Sequence, residues 1–164
     1  MRPTLDRVKE SIFNVIGNNI AGSSVLDLFA GSGSLGLEAI SRGCSIVFFV
    51  DNSKDAIKLI KNNLNLISGI EDRYKIINRD AIKFLSNFSD FVFDYIFLDP
   101  PFKIDSRIMT EIFNILHNSR IIDENSVIIY EFFFKRDVEQ ELGNFKIFKT
   151  SRFGEKKVVY LSKS

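Results

Sequence analysis

The chain has 164 residues, 45% of them apolar, and a formal net charge of +1. That length buries roughly two-thirds of the unfolded surface in a single core, and so small a net charge excludes a global basic field that would bind nucleic acid on charge alone. One cysteine, Cys44, excludes an internal disulfide and suits a reducing compartment, and no apolar run reaches the length of a signal h-region or a membrane span, so one cytoplasmic domain over residues 1–164 without a membrane partner is expected.

Residues 1–18 open with Arg2-Pro3-Thr4 and then place Val8, Ile12, Phe13, Val15 and Ile16 at helical spacing. Thr4 or Asp6 can cap this helix, and Gly17 ends it. The run 25–30 is apolar apart from Asp27, and glycines bound it, as in a strand buried on both faces of a parallel sheet. Gly31, Gly33 and Gly36 turn the chain sharply, and Leu35, Ala39 and Ile40 carry it into a helix whose free N–H groups face the same crevice. Residues 46–51 form a second strand, followed by a helix with Ile57, Ile60, Leu64 and Ile67 on one face. A third strand spans 74–79, a short helix lies around 82–85, and a fourth strand over 95–98 runs into Asp99-Pro100-Pro101-Phe102. Ile108, Ile112, Ile115 and Leu116 mark another helix, 127–134 a fifth strand, and 137–142 a brief helical piece. Segments 145–150 and 158–161 close the chain as an antiparallel pair joined through Phe153-Gly154-Glu155.

Strands alternating with helices predict a mostly parallel α/β sheet of Rossmann-like form with helices on both faces. The antiparallel final strand favours the seven-stranded class I methyltransferase arrangement. A ligand is then expected at the carboxyl ends of the strands. Two cofactors fit the first turn. Gly31-x-Gly33-x-x-Gly36 with Asp51 about twenty residues on follows the dinucleotide fingerprint. Asp27, however, precedes the glycines inside the strand, where a carboxylate repels a pyrophosphate. S-adenosylmethionine has no phosphate and carries an ammonium and a sulfonium, so Asp27 suits that cofactor. Asp51, Asp80 and Asp99 each close an apolar strand. Asp51 is expected to accept ribose hydroxyls and Asp80 to face an adenine amino group, although each acid could instead cap the following helix. Asn52 is read as a cap. The candidate cofactor contacts are Asp27, Phe29, Gly31, Gly33, Asp51 and Asp80; no metal site is expected.

Asp99-Pro100-Pro101-Phe102 is the most specific short motif. Two prolines after a buried strand cannot continue a ladder and hold the backbone extended. That frees the Pro100 carbonyl beside the Asp99 carboxylate, two acceptors that fit one planar NH2 group. Phe102 offers a face on which a base can stack. Asp99, Pro100 and Phe102 are therefore the candidate catalytic residues. His117, the only histidine, lies near a helix end and reads as structural.

The segments Arg2-Pro3-Thr4-x-Asp6-Arg7-Val8-Lys9-Glu10, Val25 through Gly33 and Asp99-Pro100-Pro101-Phe102 together resemble the RsmD-type enzymes, and Phe153-Gly154 is similar to that family's ending. The resemblance implies S-adenosylmethionine-dependent methylation of a guanine N2 in small-subunit (16S) ribosomal RNA, with the RNA or the small-subunit particle as partner; a monomer is expected, although the sequence does not determine the oligomeric state. Adenine N6 methylation shares the Asp-Pro-Pro-aromatic chemistry and is the alternative, and an inactive RNA-binding relative of the same fold is another. RNA contacts are expected from local charge at Arg2, Arg7, Lys103, Arg107 and Lys156, with Arg152 and Lys157 nearby. Family members usually carry a basic, glycine-containing arm before Arg-Pro-Thr, which here follows Met1; cofactor binding is expected not to depend on it.

Overall fold

The computed structural model describes residues 3–163, with side chains from 6 to 163. Its strands are β1 (Ser24–Asp27), β2 (Ile46–Asp51), β3 (Tyr74–Asn78), β4 (Tyr95–Leu98), β5 (Val127–Phe133), β6 (Lys146–Phe153) and β7 (Lys156–Ser162). They form one seven-stranded sheet in the order β3-β2-β1-β4-β5-β7-β6. The first five run parallel, and β7 lies antiparallel between β5 and β6. The expected sheet is borne out, including the antiparallel final strand.

The helices are α1 (Pro3–Ile16), α2 (Ser34–Ser41), α3 (Lys54–Asn65), α4 (Ala81–Asn87) and α5 (Ser106–His117). Two apolar layers explain why the parallel strands read as continuous hydrophobic runs. On one face Ile12, Phe13, Ala39, Ile40 and Ile60 pack against Val25, Val47, Phe49 and Phe97. On the other, Phe84, Leu85, Met109, Ile112, Phe113 and Leu116 pack against Leu26, Phe48, Ile96, Leu98 and Tyr130. A parallel strand covered on both sides has no solvent face to alternate toward. Cys44 is buried just ahead of β2, and burial pushes its thiol up to about 11.

Differences from the sequence reading lie at element ends. β1 stops at Asp27, yet the Leu28 and Ala30 N–H groups still donate to Phe97 and Val50 carbonyls, so the chain leaves the ladder gradually. Asp6 stands inside the first turn of α1 and not at its cap; the Thr4 side chain lies outside the described residues. Gly17, with φ of 63°, ends α1 in the left-handed region that favours glycine. α3 finishes at Asn65, which leaves Ile67 beyond the helix and 40% exposed. The buried face of α5 is Met109, Ile112, Phe113 and Leu116, at helical spacing, while Ile108 turns to the carboxyl edge of the sheet. The closing strands are longer than their apolar cores because the hairpin turns tightly through Gly154, φ 60°.

Candidate active site

β1 and β4 are neighbours, while the chain leaves β1 toward β2 and β4 toward β5, in opposite directions along the sheet. Such a reversal opens a crevice at the carboxyl edge. Two cavities lie there. One of about 420 Å³ is lined by Phe29, Gly31, Asp51, Asp80, Asp99 and Ile108, among others. The second, of about 210 Å³, is lined by Phe102, Tyr130, Glu131, Phe133, Arg136 and Lys156, among others. Pro100, Pro101 and Ile104 line both. The rigid diproline is thus the wall the two spaces share.

The larger cavity is edged by acceptors. The Gly31 N–H donates to Asp51 Oδ2 (2.9 Å), and the Ser53 N–H donates to Asp51 Oδ1 (2.9 Å). The Gly33 N–H donates to the Ala30 carbonyl (2.8 Å), and the Gly36 N–H donates to Asp27 Oδ2 (3.2 Å). A dinucleotide pyrophosphate needs these glycine N–H groups for itself. Here all three are already engaged by protein oxygens, which removes the physical basis of the dinucleotide reading.

The expected cofactor contacts divide into two shells. Phe29, Gly31, Asp51 and Asp80 line the cavity. Asp27 is buried beneath the turn, and Gly33 packs toward Phe49 and Ile60, so neither lines it. Burial, above all, raises the Asp27 carboxyl well above the carboxylate range; the Gly36 N–H opposes this, and the charges of Asp99, Glu131 and Asp51 add to it. Asp80 combines two readings, because its Oδ2 accepts the Lys83 N–H (3.1 Å) and caps α4 while the residue edges the cavity. Asn52 is not a cap. Ser53 caps α3, accepting the Ala56 N–H, and Asn52 lines the cavity instead.

At the diproline, the Pro101 carbonyl accepts the Ile104 N–H (3.0 Å), and among the described residues no turn or loop backbone bond engages the Pro100 carbonyl. Phe102 is 63% exposed, with its ring centroid 4.9 Å from that of Phe133 in an edge-to-face pair. Lys156, expected as an RNA contact, is turned inward. Its Nζ donates to Asp99 Oδ1 (3.1 Å) and Glu131 Oε2 (3.3 Å). The cause is register: Lys156 pairs with Phe133 across β5 and β7, which sets it on the face that Glu131 also occupies. Burial disfavours the Lys156 ammonium, but the two carboxylates outweigh it and raise its pKa.

Glu131 went unseen in the sequence because it sits inside an apolar strand. An acid within such a run is itself the signal, since burying a charge is costly unless it is paired. Its carboxyl is raised to about 7, first by burial and then by Asp99, with Lys156 opposing. A second buried acid, Glu141, is fully engaged by Arg136, Tyr130 and Ser106, and it holds one wall of the smaller cavity.

The other expected RNA residues that the structure describes lie around this edge. The Arg7 guanidinium stands 5.7 Å from the Phe153 ring centre, and Lys103 is exposed beside Phe102. Arg107 is 90% exposed and pairs with Asp105 at 2.8 Å. Arg2 lies outside the described residues. Arg152 stacks 3.9 Å from the centre of Phe134 and sits directly opposite Lys157 across β6 and β7. Like charges placed opposite each other on a sheet repel. Among the described residues no acid, histidine and cysteine cluster could hold a metal, and no helix is long and apolar enough to cross a membrane.

Residues 1–162 match the protein family described as Conserved hypothetical protein 95. The chain belongs to this family. The RsmD-type resemblance is borne out by the family's relatives. Ribosomal RNA small subunit methyltransferase D of Haemophilus influenzae is 36% identical over 132 residues, covering 80% of this chain and 67% of that protein. YlbH of Bacillus subtilis is 34% identical over 155 residues, covering 93% of this chain and 83% of YlbH. The solved structure of HI0767 from Haemophilus influenzae superimposes with a TM-score of 0.81 at 32% identity, over 98% of this chain and 99% of that one. The family's fold is therefore the sheet described above.

Proposed function

We propose that this chain methylates the exocyclic N2 amine of a guanine in small-subunit ribosomal RNA, with S-adenosylmethionine as donor. The observation that carries the reading is the Asp99-Pro100-Pro101-Phe102 wall standing between an acid-edged cleft and an aromatic one. The larger cavity suits the cofactor. Asp51 keeps lone pairs beyond its two backbone bonds for ribose hydroxyls. Asp80 stands where an adenine amine would be met, and the carboxylates of Asp51 and Asp99 at the cavity edge favour a cationic ligand. When bound, the cofactor supplies an activated methyl group.

The chain's own residues then do three things. Asp99 and the Pro100 carbonyl accept the two N–H donors of the incoming amine, which aims the nitrogen and stabilises positive charge growing on it. Phe102, exposed at the rim, stacks on the extruded base. The rigid diproline holds these groups in fixed relation, and such positioning can supply as much as ~7–11 kcal/mol in favourable intramolecular cases. Affinity for RNA rests on the local cations Arg7, Lys103, Arg107, Arg152 and Lys157, since overall charge is only +1, and selectivity over bulk duplex rests on RNA shape and an accessible, unstacked base. Selection of guanine rests on the likeness to the small-subunit enzymes, because two acceptors around one NH2 group fit adenine equally.

The test is to incubate the protein with methyl-labelled S-adenosylmethionine and either small-subunit particles or free 16S RNA, then analyse the nucleosides by mass spectrometry. N2-methylguanosine is the expected product. N6-methyladenosine alone would reassign the base, and absence of methylated nucleoside from both substrates would refute the reading.

A further inference from the structure

Glu131, with its partner Lys156, is a feature of the site that the proposed chemistry leaves without work. It is 5% exposed on β5, among Tyr130, Phe132 and Phe133, and yet it lines the smaller cavity. Oε2 accepts from Lys156; Oε1 has no protein partner, and Tyr160 Oη is the sealed, unpartnered side-chain oxygen among the described residues, so Oε1 is open to the cavity. A core strand gains nothing from such a group. Replacing a buried ion pair by apolar residues is often neutral or stabilising. Lys156 connects Glu131 to Asp99 by two successive hydrogen bonds of 3.3 and 3.1 Å. The three groups come from separate elements: the segment after β4, β5 and the first residue of β7.

We propose that Glu131 is the terminal acceptor of the proton that the substrate amine releases, reached from Asp99 through Lys156. The proposal rests on the amine methylation argued above. Methyl transfer leaves the nitrogen with the new methyl, two hydrogens and a positive charge. One N–H bond breaks, its electron pair stays on nitrogen, and the proton passes to the Asp99 carboxylate. Lys156 then gives an Nζ proton to Glu131 Oε2 as it takes the proton from Asp99 Oδ1. Lys156 ends as the ammonium it was, Asp99 is again a carboxylate, and Glu131 is a neutral acid. The proton has left the reacting face without a charge being stranded there. A methylated exocyclic amine is thereby delivered neutral.

The electrostatics of Glu131 suit this duty. A proton acceptor works best with a pKa near the operating pH, and burial together with Asp99 holds Glu131 at about 7 against the pull of Lys156. The other charged groups facing it are accounted for. Arg136 lines the same cavity but is bound to Glu141 by two hydrogen bonds of 2.8 and 3.0 Å; Glu155 lines its outer side. Asp27 on β1 and Tyr160 on β7 are within electrostatic reach.

Glu131→Gln keeps the shape and an oxygen for Lys156 but cannot take the proton. Single-turnover methylation at saturating cofactor should rise with pH through about 7 in the wild type. The variant should be slower by at least about tenfold, within the span of general acid–base effects, and lose that inflection. Its KM for RNA should be unchanged, and Glu131→Asp should recover part of the rate with an inflection. Independently of activity, carbon-13 NMR of the cofactor-free protein with labelled glutamate should show one carboxyl titrating near 7 that is missing from Glu131→Gln. A wild-type rate and pH profile in Glu131→Gln would overturn the proposal, as would glutamate carboxyls that all titrate in the ordinary range. Absence of methylation by the wild type would instead overturn the functional reading beneath it.

Discussion

Gly36→Ala should damage the protein through sterics alone. An added Cβ would stand 2.3 Å from Phe49 Cε1, 2.8 Å from Phe49 Cζ and 2.9 Å from Val47 Cγ1. Phe49 and Val47 are fully buried on β2, so neither can yield without moving the core between α2 and the sheet. Overpacking of this kind costs about 1–3 kcal/mol, occasionally more. Alanine returns up to about 1 kcal/mol through helix propensity. Displacing α2 also pulls the Gly36 N–H from Asp27 Oδ2, and an unsatisfied buried acceptor costs about 1–3 kcal/mol. The net expectation is a loss of about 1–5 kcal/mol, or roughly 3–15 °C in Tm for a chain of this size. Thermal and urea unfolding followed by circular dichroism measure it. Gly31→Ala is the contrast, because nothing lies within 4 Å of its added Cβ and only its φ of 58° is strained. A Gly36→Ala protein with wild-type Tm and urea midpoint would refute the close-packing argument.

Asp51→Ala should weaken S-adenosylmethionine binding by about 1.5–3 kcal/mol, the range for hydrogen bonds to a charged group, as measured by calorimetry. Phe102→Ala should leave stability unchanged, since the ring is largely exposed, and raise the KM for RNA by an amount worth roughly 1–3 kcal/mol of lost stacking. The pH dependence of stability has a defined sign. Glu131 is raised from 4.5 to about 7 in the folded state, so between those values the folded protein holds a proton that the unfolded chain has lost, and stability falls as pH rises through the window. Asp27, also raised, acts in the same direction. Urea midpoints measured across pH 4.5 to 7 should therefore decline less steeply in Glu131→Gln than in the wild type. The double charge reversal Arg152→Glu with Lys157→Glu should lower RNA affinity and flatten its salt dependence while leaving cofactor affinity intact, because these cations lie outside the lining of the larger cavity.

Much of the molecule is legible from local sequence. Continuous apolar runs ending in Asp51 and Asp99 announce parallel strands and place acids at the sheet's carboxyl edge, because burial on both faces leaves no room for alternation. The diproline announces a rigid wall, since its geometry is set by covalent chemistry and needs no distant partner. Glycine spacing alone could not separate two cofactors; Asp27 inside the strand favoured one of them, and the structure adds that the Gly31 and Gly36 N–H groups are already engaged by the acids at positions 51 and 27. Lys156 reads as a surface cation near the chain's end, and Glu131 disappears into a strand of aromatics. Only the insertion of β7 beside β5, in the register that pairs Phe133 with Lys156, sets that ammonium between Glu131 and an aspartate 57 residues earlier. Sequence patterns report what a residue does to its own element, through propensity, periodicity and burial. Which charges meet across three elements is decided by strand order and register, and those follow from how the whole core packs.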